Sequence, residues 1–219
     1  MARWRAIFPS AGTEGLWSTM TCSFLPPQCL SLDFKIRHRI VYTGVILNRL
    51  DRSRSRDCAR CSVEPETLEH LFLDCPVGAP FRTAIRGLLR DRCGLVFGSD
   101  QDWRRAFLFG VKGRPGINPA VVNLILALAR YCTWITRNHA MFEGRSVNTW
   151  LMFTNWALLY VSSLRGHTGT PWRRFLGNNT FLTEEGPSLR LACTGGILRD
   201  VPLSGIGPCD LVDPVPSVP

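Results

Sequence analysis

The sequence predicts a mainly α-helical fold in which a small Cys-Cys-His-Cys subdomain packs with an antiparallel helical hairpin and both termini are irregular. Apolar residues recur at helical spacing in several segments. Two long apolar segments follow one another in the second half of the chain, and three cysteines and a histidine lie within residues 58–75. With 45% hydrophobic residues among 219, the chain can bury a sizeable core.

Composition divides the chain into four segments. Residues 1–31 contain several prolines and glycines without sustained periodicity, which predicts an irregular lead-in. Residues 32–95 hold the cysteine and histidine cluster and form a predicted metal-binding domain, and residues 96–164 form a predicted helical C-terminal domain. Glycine and proline are frequent in residues 165–219, which predicts a loop-rich tail, and its last residues, DPVPSVP, are typical of a disordered end.

Two helical patterns flank an arginine-rich loop. From Leu32 to Leu50 the apolar residues follow a mostly helical spacing, which Gly44 is expected to break or kink. After Pro65 a short helix is predicted, and Pro76 ends it. Its apolar face consists of Leu68, Leu71 and Phe72.

A further helix is predicted from Pro80 to Cys93, with a first-turn proline and with Gly94 as its stop. Arg82, Arg86 and Arg90 are spaced by four and share one face of this helix. Like charges at that spacing repel, so an acidic partner would relieve the repulsion. The alternative is an ordinary solvated face.

The helical hairpin begins at Asn118-Pro119, a capping residue followed by a first-turn proline. This helix is apolar around most of its circumference until Arg130, which predicts a central core helix, and Gly144 ends it. A partner helix is predicted from Val147 to Leu164.

Neither hairpin helix is predicted to span a membrane. The continuous apolar run of the first is shorter than the roughly 20 residues that a span needs, and polar residues interrupt the second. The N-terminus has no apolar core and no cleavage site of a secretory signal. We therefore expect a protein of the nucleus or cytoplasm that is not secreted and whose cysteines are thiols or metal ligands.

The cysteine and histidine cluster has the spacing C-x2-C-x8-H-x4-C, formed by Cys58, Cys61, His70 and Cys75. A C-x2-C pair places two thiolates on one tetrahedral ion, and the following helix returns the other two ligands. Four protein ligands leave no open position, which predicts a structural zinc knuckle. The alternative is a chance grouping of thiols with a surface histidine. The other cysteines lack ligand spacing and are expected to be ordinary thiols: Cys22, Cys29, Cys93, Cys132, Cys193 and Cys209.

The net charge of +9 comes almost wholly from arginine, since Lys35 and Lys112 are the only lysines. Arginine pairs bidentately with phosphate and stacks on bases. The densest basic stretch leads into the first cysteine pair. We predict nucleic-acid phosphate contacts from Lys35, Arg37, Arg39, Arg52, Arg54, Arg56, Arg60, Arg82, Arg86 and Arg90.

The segment CARCSVEPETLEHLFLDCP resembles the zinc-binding segment at the C-terminal end of LINE-type (non-LTR) retrotransposon reverse transcriptases. The pattern of that family is a Cys pair, a Glu-Thr, a His and a last Cys followed by a bulky residue or proline. The four predicted ligands match it, and Glu66-Thr67 match the Glu-Thr.

The resemblance covers roughly Trp17 to Leu164. In the preceding helix, His38 and Thr43-Gly44 match the family pattern, whereas Phe34 and Arg39 replace its Trp and Gly. Downstream, VVNLILALARYCTWITRN is similar to the family's Leu-rich helix that ends in an aromatic residue, an Ile and an Arg-Asn.

The resemblance implies a C-terminal piece of a retroelement polyprotein without its polymerase. A reverse transcriptase palm needs an aromatic-x-Asp-Asp turn, and the sequence contains no Asp-Asp pair. It also lacks the family's endonuclease. We therefore expect a non-enzymatic, zinc-stabilised fragment that binds RNA or DNA through phosphates with low sequence specificity, and that has access to the nucleus as the family does.

Two alternatives belong to other functional classes. The chain could be a structural or protein-interaction domain, in which the zinc knuckle is a scaffold and the apolar hairpin docks on the reverse-transcriptase domain of a related polyprotein. It could instead be an enzyme, with His139 near Glu143 or His38 near Asp33 as acid and base. No nucleophile accompanies either pair, which disfavours the enzyme.

Overall fold

The computed structural model describes Trp4, Ile7, Phe8, Phe175 and residues 25–166, 177–185, 188–192 and 198–201. The fold is mainly α-helical, as predicted, with a Cys/His knuckle and an antiparallel hairpin. In chain order the elements are α1 (Pro27–His38), α2 (Gly44–Leu50), a π-helical turn (His70–Asp74), a 3-10 turn (Pro76–Gly78), α3 (Ala79–Cys93), α4 (Asp100–Phe109), α5 (Pro119–Glu143), α6 (Thr149–Gly166), β1 (Leu182–Glu185), β2 (Ser188–Ala192) and β3 (Leu198–Val201).

The pattern from Leu32 to Leu50 forms two helices rather than one. α1 begins at Pro27, inside the segment predicted to be irregular, because proline is favourable in a first helical turn. It ends at Arg39, which adopts the left-handed conformation with φ 59° and ψ 36°. The break therefore lies at residues 39–43, before Gly44.

Gly44 begins α2 and allows a close approach between backbones. A Cβ atom at this position would lie 2.8 Å from the carbonyl oxygen of Arg56, closer than side chains tolerate. The absence of a side chain lets the start of α2 pack directly on the loop that precedes the first cysteine.

The short helix after Pro65 ends in a single turn of π-helix, which the sequence did not predict. The backbone N–H of Cys75 donates to the carbonyl oxygen of His70 at 2.7 Å, an i to i+5 bond. This wider turn sets the positions of the third and fourth members of the cluster. α3 then begins at Ala79, one residue before the predicted start, and ends at Gly94, whose φ is 66°.

α4 was missed in the sequence, although its start carries a signal. The Ser99 side chain accepts a hydrogen bond from the backbone N–H of Asp102 at 3.1 Å, and Asp100 and Asp102 lie in the first turn. A capping serine followed by acidic residues is a typical helix start. The buried face of α4 includes Trp103 and Phe107.

α5 is the central core helix, as predicted. It contacts α1, α3, α4, α6 and the π-helical turn. The Asn118 side chain caps its first turn, and Gly144 ends it with φ 61°. By length and composition α5 passes as a membrane span, but 83% of its most apolar window is buried inside the fold, as in the core helix of a soluble protein.

A buried ion pair joins α1 to α5. The Arg130 guanidinium donates to both carboxylate oxygens of Asp33 at 2.7 and 2.5 Å, and to the carbonyl oxygen of Phe107 at 2.7 Å. Both charged side chains are almost fully buried. The first charge in the apolar run of α5 is therefore neutralised within the core, where α1, α4 and α5 meet.

The tail predicted to be loop-rich contains three short strands that the sequence did not predict. β1, β2 and β3 form an antiparallel sheet in that order, with Leu182 opposite Leu191. Phe181, Leu182 and Leu191 are buried in the main core, so the strands are stabilised by contacts that composition does not show. The predicted disordered end, DPVPSVP, lies outside the described residues.

The hydrophobic core is continuous across the predicted boundary between residues 95 and 96. It includes Leu88 and Leu89 of α3 together with Phe107 of α4 and the apolar residues of α5 from Ala120 to Cys132. Trp4 also belongs to it and packs edge-on against Phe109 with ring centroids 4.9 Å apart.

Candidate metal centre

The four predicted ligands come together at one point. Their ligand atoms all lie within 4.8 Å of one another. Cys58 Sγ is 3.9 Å from Cys75 Sγ, and Cys61 Sγ is 3.3 Å from His70 Nε2. Cys58, His70 and Cys75 are buried and Cys61 is half-buried. This grouping can hold a metal ion.

The loop between the first cysteine pair and the helix closes on itself. The backbone N–H of Cys58 donates to the carbonyl oxygen of Glu64 at 2.9 Å, and Ser62 N–H donates to Cys58 C=O at 2.8 Å. Ser62 adopts a left-handed conformation, with φ 57°, as the chain turns back. A single β-bridge between Asp57 and Pro65 joins the two ends of the loop. Local turn chemistry therefore directs both Cys58 and Cys61 toward the helix.

Backbone N–H groups near two of the sulfur atoms favour the thiolate form in the same way. Those of Arg60 and Cys61 act on Cys58, and those of Val77 and Gly78 act on Cys75. In both cases the donors lie two and three residues after the cysteine. Donors aimed at sulfur stabilise a thiolate, which is the form that binds metal.

Cys58 and Cys75 are hydrogen-bonded to each other, with their sulfur atoms 3.9 Å apart. This hydrogen bond raises the pKa of Cys58 and lowers that of Cys75. Burial also raises the pKa of Cys58, and at Cys75 it opposes the lowering. The backbone N–H groups and the Arg60 guanidinium around Cys75 favour its thiolate, the form that binds metal.

Two arginines supply positive charge next to Cys75. Arg82 Nη2 donates to the Cys75 carbonyl oxygen at 2.9 Å, and the charge of Arg60 favours the Cys75 thiolate. Among the described residues, the Nη1 atoms of both arginines are buried without a hydrogen-bond partner. Three thiolates around a divalent ion carry a net charge of about −1. The arginines therefore suit a metal–thiolate centre better than they suit neutral thiols.

Glu64 orients the histidine, a role that the sequence interpretation missed. Its Oε2 atom is 2.9 Å from His70 Nδ1, so the Nδ1–H donates to this carboxylate and Nε2 is left to face Cys61. A carboxylate behind a metal-binding histidine fixes the ring and increases its basicity. Spacing alone could not separate Glu64 from the other carboxylates between Cys61 and His70.

The arginine-rich loop adjoins this centre at the surface. Arg52, Arg54 and Arg56 are all exposed, and Arg60, which lies between the two cysteines, is half-buried. Arg54 makes a 3.5 Å ion pair with Asp51. The structure thus places three of the predicted phosphate-binding arginines together on one exposed loop.

Two other arginines predicted to contact nucleic acid are buried inside the protein. Arg37 is buried and donates to the carbonyl oxygen of Phe109 at 3.0 Å. Arg82 is buried behind Cys75. Both guanidinium groups donate to carbonyl oxygens inside the fold and are not accessible to a nucleic acid. Arg39 is half-buried, pairs with Glu69 and stacks over the ring of Trp4.

The remaining candidates do not form a cationic stripe. Arg86 pairs with Asp100 at 3.5 Å, and exposed Arg90 pairs with its neighbour Asp91 at 2.6 Å. The spacing by four along α3 therefore brings each arginine to a different environment. Lys35 is exposed on α1.

The described cysteines outside the cluster are buried thiols without a metal-ligand spacing. Burial raises the pKa of the thiols of Cys29, Cys93 and Cys132, as expected of inert core thiols. Cys22, Cys193 and Cys209 lie outside the described residues.

The chain was compared with protein families, curated proteins and solved structures. No protein-family model, no curated protein and no solved structure matches this chain. The functional conclusion therefore depends on the chemistry of the cluster and of the surface beside it.

Proposed function

We propose that this chain is a zinc-stabilised nucleic-acid-binding module, related to the C-terminal region of LINE-type reverse transcriptase polyproteins and without enzymatic activity of its own. The observation that carries the proposal is the closed Cys58, Cys61, His70 and Cys75 cluster directly after an exposed arginine loop. The metal stabilises the fold of the loop, and the loop binds phosphates.

Zinc is the metal that this donor set favours. Three thiolates and an imidazole are soft ligands typical of tetrahedral zinc. Ligands about 2.3 Å from a tetrahedral ion lie about 3.8 Å apart, and the distance between Cys58 Sγ and Cys75 Sγ is 3.9 Å. With four protein ligands the ion keeps no position for water or substrate, so its role is structural.

Phosphate binding is supported by the position of the exposed arginines. Arg52, Arg54 and Arg56 alternate along an exposed loop whose far end is held by Cys58. Guanidinium groups at this surface can each pair with one backbone phosphate of RNA or DNA. Such contacts give affinity that depends on salt and carry little sequence preference.

The relationship to the retroelement family is supported by where its matched residues lie. Glu66 of the Glu-Thr pair contacts Arg137 of the downstream Arg-Asn and the backbone N–H of Gly44 from the upstream Thr-Gly. Residues quoted from three separate segments thus form one buried contact. Such a contact is expected if the matching residues belong to one structural pattern shared with that family.

The test combines metal analysis with binding to single-stranded RNA and DNA over a salt series. We expect one zinc per chain, lost in the Cys58→Ser/Cys61→Ser variant. We expect Arg52→Gln/Arg54→Gln to reduce the slope of log affinity against log salt by about 1.4, at about 0.7 for each phosphate contact. The matched control, Lys112→Gln/Arg114→Gln, removes the same charge from another exposed loop and should leave the slope unchanged.

The second candidate function is a protein-interaction domain, favoured by apolar side chains that the hairpin exposes. Phe142 is 58% exposed, Leu151 48% and Leu159 37%. In this case the chain would contain zinc but would not bind nucleic acid even at low salt. Its association with a reverse-transcriptase domain would persist at high salt, because apolar contacts are not screened.

A further inference from the structure

A cavity of about 450 Å³ lies beside the metal centre, between the knuckle, the end of α5 and the start of α6. This volume is within the range of small-molecule sites. Its polar lining includes Arg60, Arg145, Asn148 and Thr149, and its apolar lining includes Phe81 and Trp150.

The lining favours an anion. Arg60 and Arg145 both line the cavity, and among the described residues no aspartate or glutamate does. Arg60 Nη2 is 3.4 Å from Thr149 Oγ1 at the first residue of α6, so the N-terminal end of that helix borders the same space. The partial positive charge of a helix N-terminus adds to that of the two arginines. Arg145 is exposed and pairs with Glu143, which an entering phosphate would have to displace.

The cavity also offers an aromatic surface. Trp150 is half-buried and lines the space together with Phe81, with ring centroids 6.2 Å apart. Phe153 packs behind both rings, at 5.4 Å from Trp150 and 6.0 Å from Phe81. Trp150 is thus held in place while part of it remains accessible. Fixed aromatic rings of this kind stack on nucleic-acid bases.

A second cavity lies on the arginine-loop side of the contact between the knuckle and α5. It has a volume of about 460 Å³ and is lined by Arg54 and Ser55, with Asp57 as the acidic residue among its lining. Ala59 and Ala140 line both cavities. The two spaces therefore border the same contact between the knuckle and α5, one on the side of the arginine loop and the other on the side of α6.

We propose that the cavity between Arg60, Arg145 and Trp150 binds a nucleoside phosphate group, with the phosphate on the arginines and the base against the tryptophan. The inference rests on the proposed function and specifies it: a single strand that lies along the arginine loop places its phosphorylated terminal nucleotide here. A free nucleotide carries the same chemistry and is the other possible source of the group.

Arg60 links this pocket to the metal centre. It lies between Cys58 and Cys61 in the sequence, and its Nη2 atom is 3.4 Å from Thr149 Oγ1 in the first residue of α6. Metal binding fixes the loop that carries it. We therefore expect the metal-free protein to lose the nucleotide pocket together with the knuckle.

The experiment measures binding of the zinc-loaded full chain to internally labelled single strands that end in a hydroxyl or in a phosphate, at either the 5′ or the 3′ end. Adenosine monophosphate and inorganic phosphate are titrated separately by calorimetry. We expect one type of phosphorylated end to bind about tenfold more tightly than a hydroxyl end. Arg145→Gln and Trp150→Leu should each remove that preference, and Arg114→Gln, on another exposed loop, should keep it.

The outcomes separate this inference from the function on which it rests. If all strands bind with salt-dependent affinity but none prefers a phosphorylated end, and adenosine monophosphate does not bind, the pocket is overturned and the nucleic-acid module stands. If no strand binds but adenosine monophosphate does, with loss in both variants, the pocket stands and its ligand is a free nucleotide. Equal binding of adenosine monophosphate and inorganic phosphate would exclude stacking on Trp150 and overturn the pocket as proposed.

Discussion

The Glu66 carboxylate and the Arg137 guanidinium form a buried ion pair across 71 residues of sequence. Arg137 Nε lies 2.9 and 3.0 Å from the two carboxylate oxygens, and both side chains are at most 1% exposed. Glu66 also accepts from Gly44 N–H at 2.7 Å, and Arg137 donates to the Tyr42 carbonyl oxygen at 3.0 Å. The pair fastens the metal-binding loop to α5 and to the start of α2.

Replacing Glu66 by glutamine should destabilise the fold strongly, because Arg137 would keep a buried charge without a counter-ion. We expect the free energy of unfolding to fall by about 3–5 kcal/mol. Urea denaturation of the zinc-saturated protein measures it. The control is Asp74→Asn, which removes an ion pair with Arg104 at the surface and should cost less than about 1 kcal/mol. Equal losses in the two variants would contradict a special role for the buried pair.

Removing the metal should unfold the knuckle and leave the helical core. Zinc binding in small modules contributes about 10–16 kcal/mol, far more than a short exposed loop gains by packing, whereas α5 is held by a continuous apolar core. After chelation, hydrogen exchange should become fast in residues 57–64, the loop that carries Cys58 and Cys61, and stay slow in α5. Cys93→Ala changes a buried non-ligand cysteine and should retain the full metal content. Unchanged protection of residues 57–64 without metal would refute the metal dependence.

Truncation of Glu64 should weaken metal binding without abolishing it. The Glu64 carboxylate holds His70 by its Nδ1 atom, and loss of such a partner typically costs 10–100-fold in metal affinity. Competition with a zinc chelator measures the affinity of Glu64→Ala. Glu64→Gln keeps an oxygen acceptor for the histidine and should lie between this variant and the unmodified chain. If Glu64→Ala binds zinc as tightly as the unmodified chain, the carboxylate has no role in orienting His70.

Arg39 offers a test of backbone strain. It adopts a left-handed conformation, while its side chain pairs with Glu69 and stacks on Trp4. Arg39→Gly and Arg39→Ala both lose these side-chain contacts, but glycine alone also relieves the strain. Thermal or urea unfolding should therefore show Arg39→Gly to be more stable than Arg39→Ala by about 1 kcal/mol. The opposite order would mean that the turn after α1 carries no strain.

Helix positions were predictable where the local signals agreed. The start of α5 at Asn118-Pro119 and its end at Gly144 followed from capping chemistry, and the end of α3 at Gly94 followed from the same rule. α4 had a comparable signal at Ser99 that was overlooked. The early start of α1 at Pro27 was obscured by the prolines around it.

The metal-binding cluster was predictable because ligand spacing is a local property. A C-x2-C pair brings its two sulfurs together within one turn, and a short helix returns the other two ligands, so little depends on distant residues. The arginines were less predictable. Arg37, Arg82 and Arg86 look alike in the sequence, yet two are buried and one pairs with Asp100.

The sequence by itself determined the helical class, both ends of α5, the end of α3 and the four cluster residues, since periodicity, capping and short ligand spacing act within a few residues. Only the tertiary structure decided which basic groups reach the surface, which carboxylates pair with Arg130 and Arg137, and that the tail contributes strands to the core. These features depend on residues distant in the chain, whose charges and apolar faces must compensate one another once they are removed from water.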